Sequence, residues 1–349
     1  MGVATRYSLP GMTLSMPQKM ERVRNVEFPR AAIRATLLFM KQIYAALILA
    51  AAFAVFALPL RGASPLAGRW DITVTTPHGT LVDWLGVTEK DGALDIWYQP
   101  PGGNVYQVKN YKANGAHLSL VLQEANGTQT ALTWDVDASG DKLSGSQKRG
   151  DSIGQVIGVR APALVRPEPK SWSAPEPLFN GKDLTGWEPL DPAHNHWVAK
   201  NGELVNEAHG ANLRTTRAFD DFKLHIEFNC PDDGNSGVYL RGRYEVQIEY
   251  EPLTSNPPER RIGSVYGFLT PSVEMPRIPG QWESYDVTLV GRIVTVVRDG
   301  VTILDKQEIR GTTGGALDSN EGAPGPIYLQ GDHTGGLLFR NITVQVAQR

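Results

Sequence analysis

The stretch Asn235–Tyr250, NSGVYLRGRYEVQIEY, gathers side chains that can hold a polar ligand or move a proton. Successive side chains of an extended segment point to opposite sides. Tyr239, Arg241, Arg243, Glu245, Gln247 and Glu249 therefore share one face, and Val238, Leu240, Tyr244, Val246 and Ile248 the other. Same-face neighbours lie roughly 7 Å apart, so two guanidiniums, two carboxylates and an amide lie along a single surface. Carboxylates serve as general base or acid, guanidiniums stabilise developing negative charge, and an amide binds hydroxyls. Asn235-Ser236-Gly237 reads as a turn that presents an amide and a hydroxyl to the same site. The plainer alternative is a solvated face carrying cross-strand ion pairs. One strand from Val238 to Tyr250 would span about 43 Å, beyond the usual length, so Gly242 between two arginines marks a bulge or tight bend. That leaves Glu245, Gln247 and Glu249 as the secure shared face, with Arg241 and Arg243 as conditional members. An arginine beside Glu245 would lower its pKa and favour an ionised base.

A second polar cluster lies in LQGDHTGGLLFRN. There Asp332 and His333 can form a carboxylate-oriented imidazole, a proton shuttle near neutral pH, although a lone loop histidine is usually just solvated. Gln330 adds an amide. Arg340 has the parity of Leu338, Ile342, Val344 and Val346, and an arginine on an apolar face needs a partner, so it is expected to brace the sheet. Trp282 is read as core by default. Asp232, Asp233 and Asn235 lack the spacing of an EF-hand loop, and His194 and His196 lack a third ligand, so no metal and no other cofactor is expected. The single cysteine, Cys230, excludes an intramolecular disulfide and a thiolate zinc cluster.

These clusters must be positioned by a β-rich chain. From about Leu66 to Arg160, short runs of Val, Ile, Thr, Trp and Tyr are punctuated by Asp91-Gly92, Asn114-Gly115, Asn126-Gly127 and Ser139-Gly140, the spacing of a small lipocalin-like barrel over residues 65–160. It is either a binding barrel or a spacer. A linker with five prolines, residues 161–177, precedes a second β-rich domain over 178–349, expected as a sandwich of two antiparallel sheets. With 349 residues, 41% of them hydrophobic, and a mean hydropathy of -0.26, the chain has material for two cores. A net charge of -3 and no basic stripe argue against nucleic acid as a partner. Lys41, the apolar run from Ile43 and small residues to about Ser64 have the shape of a secretory signal, so residues 40–64 are read as a signal peptide or uncleaved anchor. Residues 1–39 read as an upstream extension. The expectation is export to the periplasm or beyond, with membrane contact only through an uncleaved segment.

PLFNGKDLTGWEPL, HWVAKNGELVN, NLRTTRAFDDFKLHIEF, NSGVYLRGRYEVQIEY, IGSVYGFLTP, WESYDVTLVGRIVTVVRDG and PGPIYLQGDHTGGLLFRNI occur in the order seen in bacterial 3-keto-disaccharide hydrolases. Residues 178–345 resemble that family, which implies a concanavalin A-like jelly roll that cleaves glycosides already oxidised at C3. A C3 ketone acidifies the C2 proton. A base removes it, the C1 substituent leaves by β-elimination, and water then adds back. For this chemistry Glu245, His333 and Asp332 are the candidate catalytic groups. Arg241, Gln247, Glu249, Asn235, Ser236, Tyr239, Arg243 and Gln330 are the candidate binding groups for a small oxidised sugar. The loop Thr334-Gly335-Gly336 is longer than the family pattern. The rival readings are a non-catalytic, lectin-like module and an envelope scaffold.

Overall fold

The computed structural model describes residues 64–122, 131–250 and 257–349, and residues 62–349 form one compact unit. The upstream extension and, apart from Ser64, the segment read as an export signal lie outside the described residues, as does the Asn126-Gly127 turn. Among the described residues no helix is long and apolar enough to cross a membrane.

The protein is all-β: a small barrel followed by a jelly-roll sandwich. The barrel sheet comprises β1 (Gly68–Thr76), β2 (Gly79–Lys90), β3 (Ala93–Gln99), β4 (Tyr106–Val108), β5 (Asn110–Asn114), β6 (His117–Leu122), β7 (Leu132–Ser139), β8 (Lys142–Arg149) and β9 (Ser152–Arg160). Each strand pairs antiparallel with its neighbour in an up-and-down meander, and β1 pairs with β9, so the seam falls between β4 and β5. Alternation sends Trp70, Ile72 and Val74 of β1 inward, where they meet Tyr98 and Trp134. Those rings stand edge to face at 5.3 Å, so aromatic side chains fill the interior.

The outward face of β1 is not solvated. Arg69 pairs with Glu308, the Thr73 and Ser319 hydroxyls lie 2.7 Å apart, and Asp71 is buried against Glu321. From β2, Trp84 packs edge-on against Phe268 at 5.4 Å. The barrel thus docks on the sandwich through alternate residues of its first two strands.

The Pro-rich stretch is extended and partly paired. Its strands β10 (Ser171–Trp172) and β11 (Glu176–Pro177) run along the last strand of the chain. The sandwich follows with β12 (Trp187–Pro189), β13 (Trp197–Lys200), β14 (Glu203–Asn206), β15 (Leu213–Phe219), β16 (Phe222–Asn229), β17 (Asn235–Leu240), β18 (Tyr244–Glu249), β19 (Trp282–Val290), β20 (Ile293–Arg298), β21 (Val301–Glu308), β22 (Gly325–Leu329) and β23 (Leu337–Gln348). The larger sheet runs β13-β14-β23-β16-β19-β20-β21 and the smaller β12-β15-β22-β17-β18. Phe222, Leu224, Ile226 and Phe228 of β16 face Val238, Leu240, Val246 and Ile248 of the smaller sheet across one core.

In a two-sheet sandwich the outer face of the smaller sheet would meet water, yet all six residues of β18 are buried. Segments 259–269 and 309–317, together with the β3–β4 connection of the barrel, lie across that face. Backbone hydrogen bonds anchor the cover: Thr313 N donates to Arg243 O, Tyr266 N to Glu245 O, and Gly315 N to Pro101 O. This cover converts a polar sheet face into a cavity.

Candidate active site

The opening stretch is a hairpin, not one bent strand. β17 and β18 pair from Asn235↔Glu249 to Leu240↔Tyr244, and the chain reverses through Arg241 and Gly242, both left-handed at φ 53° and 68°. Tyr239 therefore stands directly opposite Glu245, and Gly237 opposite Gln247. Gly237 is required by space: a Cβ there would come within 2.1 Å of Glu245 Oε1. The glycine opens the pocket into which the carboxylate folds.

Reversal also disperses the arginines. Buried Arg241 points to the far end of the hairpin, where it donates to Tyr244 Oη (3.2 Å) and Gly291 O (2.7 Å) and pairs with Asp220. Arg243 pairs with Asp318 at 2.7 Å and donates to Ala323 O. Neither lines the cavity that holds Glu245. The expectation that a neighbouring guanidinium lowers the pKa of Glu245 is reversed: burial pushes this carboxyl up to about 8, moderated by the adjacent Tyr239 hydroxyl and His333 and reinforced by Asp332. The single Tyr239 hydroxyl proton is directed at Gly314 O, 2.7 Å away. Glu245 Oε1 is buried with no hydrogen-bond partner among the described residues.

The cavity measures about 220 Å³. Its floor carries Asn235, Tyr239, Glu245, Gln247 and Gln330, one side Asp332 and His333, and the other Tyr266, Gly314, Gly315 and Pro101–Gly103. Gln247 Oε1 accepts from Ile248 N at 3.0 Å, which leaves its NH₂ as the donor end. His333 Nδ1 lies 2.9 Å from Asp332 Oδ1, and Asn212 Nδ2 donates to Asp332 Oδ2 at 3.1 Å. Burial would raise the Asp332 pKa, but these partners outweigh it and hold the group below the usual carboxylate range. The imidazole is thereby oriented by an ionised carboxylate. Tyr239 and Tyr328 stack at 3.9 Å beneath the site, and Tyr328 Oη donates to Gly315 O at 2.9 Å.

Two further expected members stand apart. Ser236 faces inward and donates to Gln330 O at 2.7 Å, so it fixes the strand below the amide. Glu249 has the parity of Glu245 but lies at the far end of β18, outside the cavity lining and near Cys230, whose thiol burial pushes up to about 12 with help from Glu249. Arg340 does not sit on the apolar face: a bulge at Asn341 (φ 49°) reverses the alternation, and the guanidinium pairs with Glu227 at 2.7 Å over the ring of Trp282. It braces the outer sheet, and Trp282 is its platform. Among the described residues no group of three potential ligands could hold a metal ion.

Tyr266, Asn212, Gly314, Gly315 and Pro101–Gly103 were not singled out from sequence. Tyr266 lies in IGSVYGFLTP, so the resemblance carried a signal for it. Pro-Pro-Gly-Gly at 100–103 signals a loop but not which domain the loop meets.

Residues 174–345 match the model of the 3-keto-alpha-glucoside-1,2-lyase-like domain, and this part of the chain is a member of that domain family. It is a glycosidase-type enzyme domain. Two Parabacteroides distasonis proteins provisionally assigned as glycosyl hydrolases are similar in structure. One has 27% identity over 52% of this chain and 92% of its own, with a TM-score of 0.42. The other has 20% identity over 50% and 94%, also with a TM-score of 0.42. A Trypanosoma rangeli sialidase has 9% identity over 81% and 52%, with a TM-score of 0.32. No curated protein matches the chain in sequence.

Proposed function

We propose that the protein cleaves 3-keto-glycosides, with Glu245 as the base. The observation that carries this reading is a buried carboxyl, pushed up to about 8 by its burial, that lines a sugar-sized cavity beside Gln247 and the Asp332–His333 pair. A C2 proton beside a ketone is a weak acid, so an ordinary carboxylate is a poor match, whereas a base near 8 is strong and still available near neutrality. Glu245 takes the C2 proton and the electron pair forms the enolate. The Gln247 NH₂ donates to the enolate oxygen, the C1–O bond breaks, and His333, oriented by Asp332, protonates the departing oxygen. In the second stage water adds its hydroxyl to C1 as His333 takes its proton, and Glu245 returns a proton to C2, giving the free 3-keto sugar and restoring both groups. The N-terminal segment is proposed to deliver the enzyme to the periplasm or beyond, where small oxidised sugars are its substrates.

The test is release of 3-keto-glucose from 3-keto-sucrose, 3-keto-trehalose or 3-keto-lactose, with the unoxidised sugars as controls. Since the base must be ionised, kcat/KM is expected to rise with pH and level off above about 8. Glu245→Gln is expected to lower it by about 10²–10⁴-fold. Full activity of that variant would remove Glu245 from the chemistry. Binding without turnover in the parent protein would favour a lectin-like module.

A further inference from the structure

The wall formed by Pro101–Gly103 lies outside the matched domain: these residues belong to the barrel, and the match begins at 174. The contact is built at several points. Gln99, fully buried, donates from Nε2 to Pro100 O and to Gly103 O, both at 2.8 Å, which holds the loop from within. Pro101 O accepts from Gly315 N at 2.9 Å. Asn104 Oδ1 accepts from Arg260 Nε at 2.7 Å, and its Nδ2 donates to Glu259 at 3.3 Å. Gly314 and Gly315, the residues against which the loop rests, also receive the hydroxyls of Tyr239 and Tyr328. The barrel loop and the catalytic floor are thus pinned to the same two residues.

Gly102 differs from the rest of this wall. An added Cβ would meet nothing within 4 Å, and its backbone is in an ordinary conformation. Neither φ nor packing demands glycine there, and Gly102 is an exposed residue on the cavity lining. A volume of about 220 Å³ is below the ~300–1,000 Å³ of pockets for drug-sized ligands. It suits one sugar ring, and the leaving group must extend past the wall.

We propose that the barrel loop at Gly102 sets the size of the leaving group, so that the enzyme takes disaccharides and other glycosides with a small aglycone and rejects longer chains. This rests on the cavity being the glycoside site proposed above. The barrel then acts as a specificity element and not as a spacer.

The test uses the full chain and the variants Gly102→Ala and Gly102→Leu. Calorimetric titration with 3-keto-glucose and with trehalose, sucrose and lactose reads the wall, and turnover of the 3-keto-disaccharides reads the chemistry. Gly102→Leu is expected to weaken disaccharide binding about tenfold while changing 3-keto-glucose binding less than twofold, with Gly102→Ala between and the thermal midpoint unchanged. Equal shifts for mono- and disaccharide, no shift for either, or no saccharide binding by the parent protein would overturn the proposal. Differential binding without turnover would sustain the wall while removing the proposed reaction.

Discussion

Glu245 and Glu321 are both withdrawn from water, at 2% and 0% exposure, but their surroundings differ in kind. Glu321 lies at the seam between barrel and sandwich, where Arg292 donates to both of its oxygens (2.7 and 2.5 Å) and Tyr244 Oη donates at 2.7 Å. Arg292 in turn donates to Pro162 O, and Arg241 closes the cluster through Tyr244. Asp71 of the barrel completes it, pushed up by burial and by Glu321, which favours its neutral form. Both oxygens of Glu321 have fixed partners. Among the described residues Glu245 pairs with no guanidinium, and one of its oxygens has no hydrogen-bond partner. A buried carboxylate that is fully paired joins parts of a fold; one left unpaired beside a cavity holds free energy available for chemistry.

Removing one partner of the seam should have the largest effect on stability. Glu321→Ala leaves Arg292 buried without its carboxylate and is expected to cost about 3–5 kcal/mol, measured by denaturant unfolding. A cost below about 1 kcal/mol would mean that the seam is not the structural half of the comparison. At Glu245 the sign reverses. Its folded pKa lies above the ordinary carboxylate value, so its contribution is fully favourable below about 4.5 and is lost as pH rises through about 8. Glu245→Gln is therefore expected to stabilise the protein by a few kcal/mol at pH 9 and by less than about 1 kcal/mol at pH 5. Thermal melts of both proteins across that range would give parallel curves if the carboxyl were not desolvated. The smallest effect is expected at the seam's neutral acid: Asp71→Asn should change stability by no more than about 1 kcal/mol, because the amide can still donate to Glu321. A cost comparable to that of Glu321→Ala would show that Asp71 is buried charged.

The sheets were legible because alternation and turn pairs are local signals. Val238, Leu240, Val246 and Ile248 face the core as their parity requires. Parity also put Glu245 and Gln247 on one side with Tyr239, and the cavity contains all three. Parity does not reveal where a strand ends. A reversal at Arg241–Gly242 keeps the alternation on each side and changes every neighbour, so the arginines left the site. Arg340 illustrates the same limit, since a one-residue bulge inverts its face. The raised pKa of Glu245 was not legible at all: it depends on loops that cover the outer sheet face, including a barrel loop far away in sequence.

That cover bears on how the site comes into being. Its floor and its wall belong to different sheets, and the hydrogen bond from Gly315 N to Pro101 O joins segments far apart in the chain. Contacts of such long range form late, because loop-closure entropy precedes their reward. The barrel emerges first during synthesis, and its loop has nothing to rest on until the sandwich is complete. Segments 259–269 and 309–317 of the sandwich cover part of the Glu245 face by themselves, and the barrel loop adds the last wall. The cavity is thus completed by the closing step of assembly, when the barrel loop meets the sandwich.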